Sequence, residues 1–225
     1  MVKKEAVVIS LGGSILVPEE VDVSFVREFK QLIEKESKKR KIIVIVGGGK
    51  TARKYIEAGR KITKNISNDN LDWIGIHATR LNAQLLKNLI SGANRVVQKN
   101  PKEKLSFNKI LIAAGWKPGF STDYDAVLLA KTYKAEEILN ITNVDYVYDK
   151  NPKTNKKAKK FTNLTWKEMR KIIGGKWKPG LNSPFDPLAC KEAEKSKIKV
   201  VVIGKDIQNL KKFFAGKKFR GTIIK

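Results

Sequence analysis

Glycines at the ends of apolar runs, with cations beside them, carry the chemical content of this chain. Three turns, Gly12-Gly13-Ser14, Gly47-Gly48-Gly49-Lys50 and Gly115-Trp116-Lys117-Pro118-Gly119, each follow an apolar stretch. Glycine lets backbone amides close on an anion, and a helix starting there adds its positive end. One such turn only reverses a chain; three point to a polyphosphate site. Arg53 stands one helical turn past the triple glycine, a position suited to a phosphate. Gly49-Lys50-Thr51 ends like a Walker loop, but that motif's first glycine would fall on Val44, inside an apolar run, so the P-loop reading fails. No GxGxxG follows the first apolar run, which argues against a Rossmann-type cofactor.

The remaining composition narrows the chemistry. A single cysteine, Cys190, excludes an internal disulfide, and with a single histidine, His77, it excludes thiolate or imidazole metal clusters. Any metal is then a hard cation held by carboxylates and substrate phosphates. Phosphoryl transfer to an acceptor that is already ionised needs no histidine base; lysine, arginine, backbone amides and Mg²⁺ suffice. Lys and Arg total 47 against 22 acids, a net charge of +25, and such a field draws in anionic ligands. The densest lysine runs, at 38–41, 156–160 and 211–218, read as solvated faces, and no RNA- or DNA-binding signature accompanies them. No apolar run approaches the roughly 18 residues of a membrane helix, and no signal-peptide pattern opens the chain. A cytoplasmic protein with neither membrane nor nucleic-acid partner is expected.

These residues need a scaffold. Strands are expected over 5–11, 42–46, 95–98, 109–113, 137–141, 199–203 and 221–224. Helices are expected over 23–38, with Asp22 as cap, and over 50–62, 71–89, 122–133, 165–173, 188–195 and 208–214. A turn is expected at 68–70 and a polar hairpin within 144–161. Strands alternating with helices imply an α/β fold, one mostly parallel sheet with helices on both faces, over a single unit 1–225.

In order along the chain, Ser10-Leu11-Gly12-Gly13-Ser14, Val46-Gly47-Gly48-Gly49-Lys50 with Arg53, and Ile74-Gly75-Ile76-His77-Ala78-Thr79-Arg80-Leu81-Asn82 closely resemble archaeal-type UMP kinases of the amino acid kinase family. So do Pro118-Gly119-Phe120-Ser121-Thr122-Asp123, Ile141-Thr142-Asn143-Val144-Asp145 with Tyr148, and Phe185-Asp186-Pro187-Leu188-Ala189. The resemblance implies a three-layer αβα sandwich, transfer of the ATP γ-phosphate to UMP with Mg²⁺, and a homohexamer built as a trimer of dimers. It implies an acceptor-binding N-terminal part and an ATP-binding C-terminal part. Carried over by position, Gly13, Ser14, Gly49 and Arg53 face ATP phosphates, and Thr142, Asn143, Tyr148 and Asn151 surround its base and ribose. Gly48, Asp72 and the loop Trp116, Lys117, Pro118, Gly119, Phe120, Ser121, Thr122 hold UMP. Lys178, Asp186 and Arg53 are the implied catalytic residues; no residue is assigned to a metal.

The chain departs from the family pattern in places. Ser10 stands where many relatives carry lysine. Trp116, Lys117 and Phe120 replace a threonine and two histidines, Tyr146 replaces a glycine, and Asn151 replaces an aspartate. The altered loop leaves open an acceptor such as isopentenyl phosphate, or a nucleotide- or RNA-binding relative without turnover. Plainer roles are also expected: Asp123 as a helix cap, Asp145 as a turn former and Arg80 as an ion-pair brace along its helix. Trp73, Trp166 and Trp177 are expected to pack, and His77 and Cys190 to do no chemistry.

Overall fold

The computed structural model describes residues 6–152, 154–173 and 184–225. The first half of the chain runs β1 (Ala6–Leu11), α1 (Gly13–Leu16), α2 (Val23–Glu36), β2 (Lys41–Val46), α3 (Gly49–Ile62), α4 (Asn68–Leu89) and β3 (Ile110–Ala113). Then come α5 (Thr122–Tyr133), β4 (Glu137–Thr142), β5 (Val147–Tyr148), β6 (Lys160–Phe161), β7 (Asn163–Leu164) and α6 (Trp166–Ile173). The described chain ends with α7 (Pro187–Lys195), β8 (Lys199–Gly204), α8 (Ile207–Phe214) and β9 (Thr222–Ile224).

Seven strands form one sheet in the order β3-β2-β1-β4-β8-β9-β7. Neighbours from β3 to β8 are parallel, β9 is antiparallel to β8, and β7 is parallel to β9. The strand bodies are almost continuously apolar, as parallel strands covered on both faces must be. Alternation then sorts their side chains. Ile9, Val44 and Ile112 face one core with Phe29 of α2, Leu86 of α4 and Leu210 of α8. Val8, Ile43 and Leu111 face a second core with Val127 of α5, Met169 of α6 and Ala189 of α7. The result is the expected three-layer αβα sandwich.

Local expectations met mixed outcomes. Asp22 caps α2 by accepting from the Phe25 N–H at 3.0 Å, and the hairpin within 144–161 is the antiparallel β5–β6 pair. Residues 68–70 are not a turn. They are the first turn of α4, because Ser67 caps it by accepting from the Asn70 N–H at 3.2 Å. The strand expected over 95–98 reduces to isolated bridges, Ala93 to Ile110 and Gln98 to Ala113. Val96 is exposed, and the Gln98 side-chain amide donates to the carbonyls of Asn100 and Glu103, so no inward-facing row exists to hold a longer ladder. Strand β7 and the four-residue α1 were not foreseen; neither is long enough to show a period.

One topological feature positions the site. From β1 the chain moves to β2 on one side, and β4 later docks on the other side of β1. Connections therefore diverge at the carboxyl ends of β1 and β4, leaving a crevice of the kind that takes ligands in open α/β sheets.

Candidate active site

A cleft of about 510 Å³ opens at this crevice. Ser10, Gly12 and Ser14 line it from β1 and α1, Thr142 and Asn143 from the end of β4, and Asp123 from α5. The expected ATP residues Tyr148 and Asn151 line it as well. Thr142 also bonds within its own turn. Its hydroxyl accepts from the Val144 N–H at 3.2 Å and donates to the Val144 carbonyl at 2.9 Å, so it shapes the turn that presents Asn143.

The first two glycine turns pack backbone against backbone. A Cβ on Gly13 would lie 2.1 Å from the Gly49 nitrogen, and one on Gly47 would lie 2.6 Å from the Gly13 nitrogen. Gly49 also has a φ of 64°, in the left-handed region that disfavours other residues. Close approach therefore dictates glycine here, apart from any ligand. Asn82 of α4 clamps the arrangement, donating from Nδ2 to the Gly47 carbonyl at 2.8 Å. No side chain caps α3, whose N-cap is Gly48, and no acid sits in its first turn. One first-turn amide, Lys50 N–H, already donates to the Val17 carbonyl at 2.9 Å, and Arg53 is exposed on the same helix.

Two carboxyl groups stand behind the turns. Asp123 is not the cap of α5; Ser121 is, accepting from the Tyr124 N–H at 3.1 Å. Asp123 instead accepts from the Ser10 hydroxyl at 2.9 Å and from the Asp186 N–H at 3.1 Å. Burial pushes its carboxyl up to about 7; repulsion from Asp186 adds to this, and the two hydrogen bonds oppose it. Asp186 caps α7 by accepting from the Ala189 N–H at 2.8 Å, so its backbone rather than its carboxylate faces Asp123 in that contact. Asp125 is fully buried, and burial pushes its carboxyl up to about 7 as well, against one hydrogen bond from the Trp116 N–H at 3.0 Å. Cys190, buried beside these acids, has its thiol pushed well above its ordinary range, which makes it inert.

The third glycine turn forms a loop over the opposite side. Asp72 in α4 accepts from the Gly119 N–H at 2.8 Å, so it ties helix to loop; the cap of that helix is Ser67. Arg80 makes no ion pair along its helix. It donates to the Trp116 carbonyl at 3.2 Å and lies 5.5 Å from the Trp73 ring centroid. Thr79 receives the Gly115 N–H at 2.8 Å. The substituted residues pack on one another: Trp116 on Phe120 at 5.5 Å and Phe120 on Tyr124 at 5.0 Å, with the Lys117 ammonium 4.4 Å from the Trp116 ring. The loop is thereby held in one shape by α4, α5 and its own rings.

The amino acid kinase family model matches residues 5–204. The chain belongs to that family. It is similar to the uridylate kinase of Thermoplasma volcanium, 37% identical over 217 residues that make up 95% of this chain and 94% of the relative. Against the uridylate kinase of Thermococcus kodakarensis it is 39% identical over 224 residues, 97% of this chain and 98% of the other. The crystal structure of uridylate kinase from Archaeoglobus fulgidus superposes with a TM-score of 0.84 at 38% identity, covering 97% of this chain and 99% of that one.

Within this amino acid kinase frame, the structure brings Ser14, Asn143, Tyr148 and Asn151 to one cleft, and joins Asp72 to the Gly115–Thr122 loop. Lys178 and Trp177 lie outside the described residues. Asp145 pairs with Arg220 at 3.2 Å, a contact far along the chain rather than within the turn expected of it; Trp166 is buried, while Trp73 is exposed at 40%. Sequence reasoning missed Asp125, Asn82 and Thr79, and gave Asp123 the wrong role. The available signal was a polar residue on an otherwise apolar helix face, as with Asp125 just before Ala126-Val127-Leu128-Leu129-Ala130.

Proposed function

We propose that this chain transfers the γ-phosphate of ATP to UMP, giving UDP and ADP. The observation that carries the reading is the contact of the Gly12–Ser14 and Gly47–Gly49 turns between two recognition surfaces. On one side lies the crevice lined by Ser14, Asn143 and Tyr148, suited to the donor. On the other, Asp72 meets the acceptor loop. Full-length similarity to uridylate kinases supports the same pair of substrates.

In this reading a UMP phosphate oxygen, ionised at neutral pH, attacks the γ-phosphorus in line and the β–γ bridging oxygen leaves with ADP. Amides of the glycine turns and Arg53 orient the phosphates, with Lys178 the second cation. Asp186 and Asp123 fix the floor of the site, and Asp72 with residues 116–122 surrounds UMP.

Among the described residues no three Asp, Glu, His or Cys side chains gather as a metal cage. Hydroxyls of Ser14 and Thr122 line the cleft with Asp123, whose carboxyl already accepts two hydrogen bonds. This donor set fits magnesium bound mainly by phosphate oxygens and water, with those two hydroxyls as the chain's hard donors. When bound, the ion neutralises phosphate charge.

We read residues 1–225 as one catalytic unit, its N-terminal part for UMP and its C-terminal part for ATP. Tyr55 and Ile62 of α3 and Leu81 of α4 are exposed apolar side chains, which suits a homo-oligomer built on these helices, with a hexamer built as a trimer of dimers the expected assembly. Among the described residues no helix is long and apolar enough to cross a membrane. The deciding assay supplies Mg·ATP with UMP, CMP, dUMP and isopentenyl phosphate in turn. UDP formation is expected, and product from isopentenyl phosphate alone would replace the reading.

A further inference from the structure

The donor cleft contains an aromatic feature that phosphate binding does not use. Val147 in β5 is fully buried; its N–H donates to the Thr222 hydroxyl at 2.9 Å, and it pairs with Phe161 across the hairpin. Pinning Val147 inward forces the residues on either side of it outward, because side chains alternate along an extended chain. Tyr146 and Tyr148 therefore both reach the cleft wall. Their rings stand at 90° with centroids 6.3 Å apart, so the face of one meets the edge of the other. Lys160, in register with Tyr148, places its ammonium 4.9 Å from the Tyr146 ring centroid.

Tyr146 belongs to neither hydrophobic core and is only partly buried, so the fold does not need an aromatic ring there. A perpendicular pair of rings at the wall of a cleft makes a corner for a flat heteroaromatic ring, which stacks on one and meets the edge of the other. The side-chain amide of Asn143 is on the same cleft and offers donors and an acceptor for the rim of such a ring.

We propose that Tyr146 contacts the base of the donor nucleotide and sets the preference for ATP among nucleoside triphosphates. The inference rests on the reading that this cleft takes the donor. Tyr148 completes the corner, while the phosphates are held by the glycine turns and owe nothing to Tyr146.

The test compares binding of Mg·ATP, Mg·CTP and magnesium tripolyphosphate by titration calorimetry to the wild type, Tyr146→Ala and Tyr146→Phe, with melting curves to check folding. Loss of one base–aromatic stack weakens binding by about tenfold. Tyr146→Ala is therefore expected to lose about tenfold for ATP, to bind tripolyphosphate as the wild type does, and to narrow the gap between ATP and CTP. Tyr146→Phe should stay within about twofold of the wild type. The proposal is overturned if Tyr146→Ala binds ATP unchanged, or loses ATP and tripolyphosphate equally. Failure of the acceptor reading looks different: base-dependent ATP binding persists while UMP yields no UDP.

Discussion

Replacing Asp125 with asparagine should stabilise the protein, and by an amount that grows with pH. The carboxyl is fully buried; Oδ2 accepts from the Trp116 N–H, and Oδ1 has no hydrogen-bond partner among the described residues. Burial raises it from an ordinary 3.8 to about 7, so the folded chain keeps this proton where the unfolded chain has lost it. The folded state then binds more protons across that window, and stability must fall as pH rises from about 4 to about 7, then level off. At about 1.4 kcal/mol per pH unit, the loss attributable to this group approaches 4 kcal/mol by pH 8, and less than half of it is present at pH 5.

Asparagine removes the loss without disturbing the contact. Its carbonyl oxygen accepts from the Trp116 N–H, and its amide nitrogen stands where Oδ1 already lacked a partner. Relaxation around a buried charge trims such values, so a gain of about 2–4 kcal/mol at pH 8 and about 1 kcal/mol at pH 5 is expected. Urea unfolding of both proteins at pH 5, 6, 7 and 8, at fixed protein concentration, measures it. Asp123 has the same direction of shift but is present in both proteins, so it drops out of the difference. A gap that stays constant with pH, or a variant weaker at pH 8, would refute the buried-charge argument.

Other perturbations read different parts of the site. Gly13→Ala drives a Cβ into the Gly49 backbone and should cost about 3 kcal/mol or more, with loss of turnover, seen by urea unfolding and a UDP assay. Asn82→Ala removes the clamp on the Gly47 carbonyl; a loss of about 1–3 kcal/mol in thermal unfolding is expected. Asp72→Ala frees the Gly119 N–H and should raise the UMP KM about tenfold while leaving the ATP KM unchanged; equal change in both would remove Asp72 from acceptor binding.

The sheet was legible in the sequence because its signals are strong and local. A run such as Lys41-Ile42-Ile43-Val44-Ile45-Val46 closed by three glycines admits few readings, and Asp22 before an amphipathic stretch caps the helix that follows. The glycine turns were legible as sites but not as a unit. The 2.1 Å clash that forbids a side chain at Gly13 is with Gly49, far along the chain, and nothing local reports it. The roles of Asp123 and Arg80 failed for the same reason. Each sits where local rules offer a sufficient partner, a helix start for one and a helix face for the other. The partners actually used, Ser10 and Asp186 for one and the Trp116 carbonyl for the other, arrive through tertiary packing.

Two phosphorylated ligands meeting end to end repel strongly, and acids behind the meeting point would ordinarily worsen that repulsion. Asp123 and Asp125 avoid the penalty because burial raises both toward about 7. Near neutral pH neither is an obligatory anion, so neither fixes a full negative charge beside the phosphates. What they fix is geometry: Asp123 joins Ser10 of β1 to the opening of α7, and Asp125 holds the Trp116 amide at the root of the Gly115–Thr122 loop. On the proposed reading the positive potential comes from groups that need no buried counter-ion, namely amides of the glycine turns and the exposed Arg53. The stability that the Asp125 carboxyl costs is the quantity that Asp125→Asn should recover. A stabilised variant that loses acceptor affinity would show that the loop, and not the fold, is what the buried acid serves.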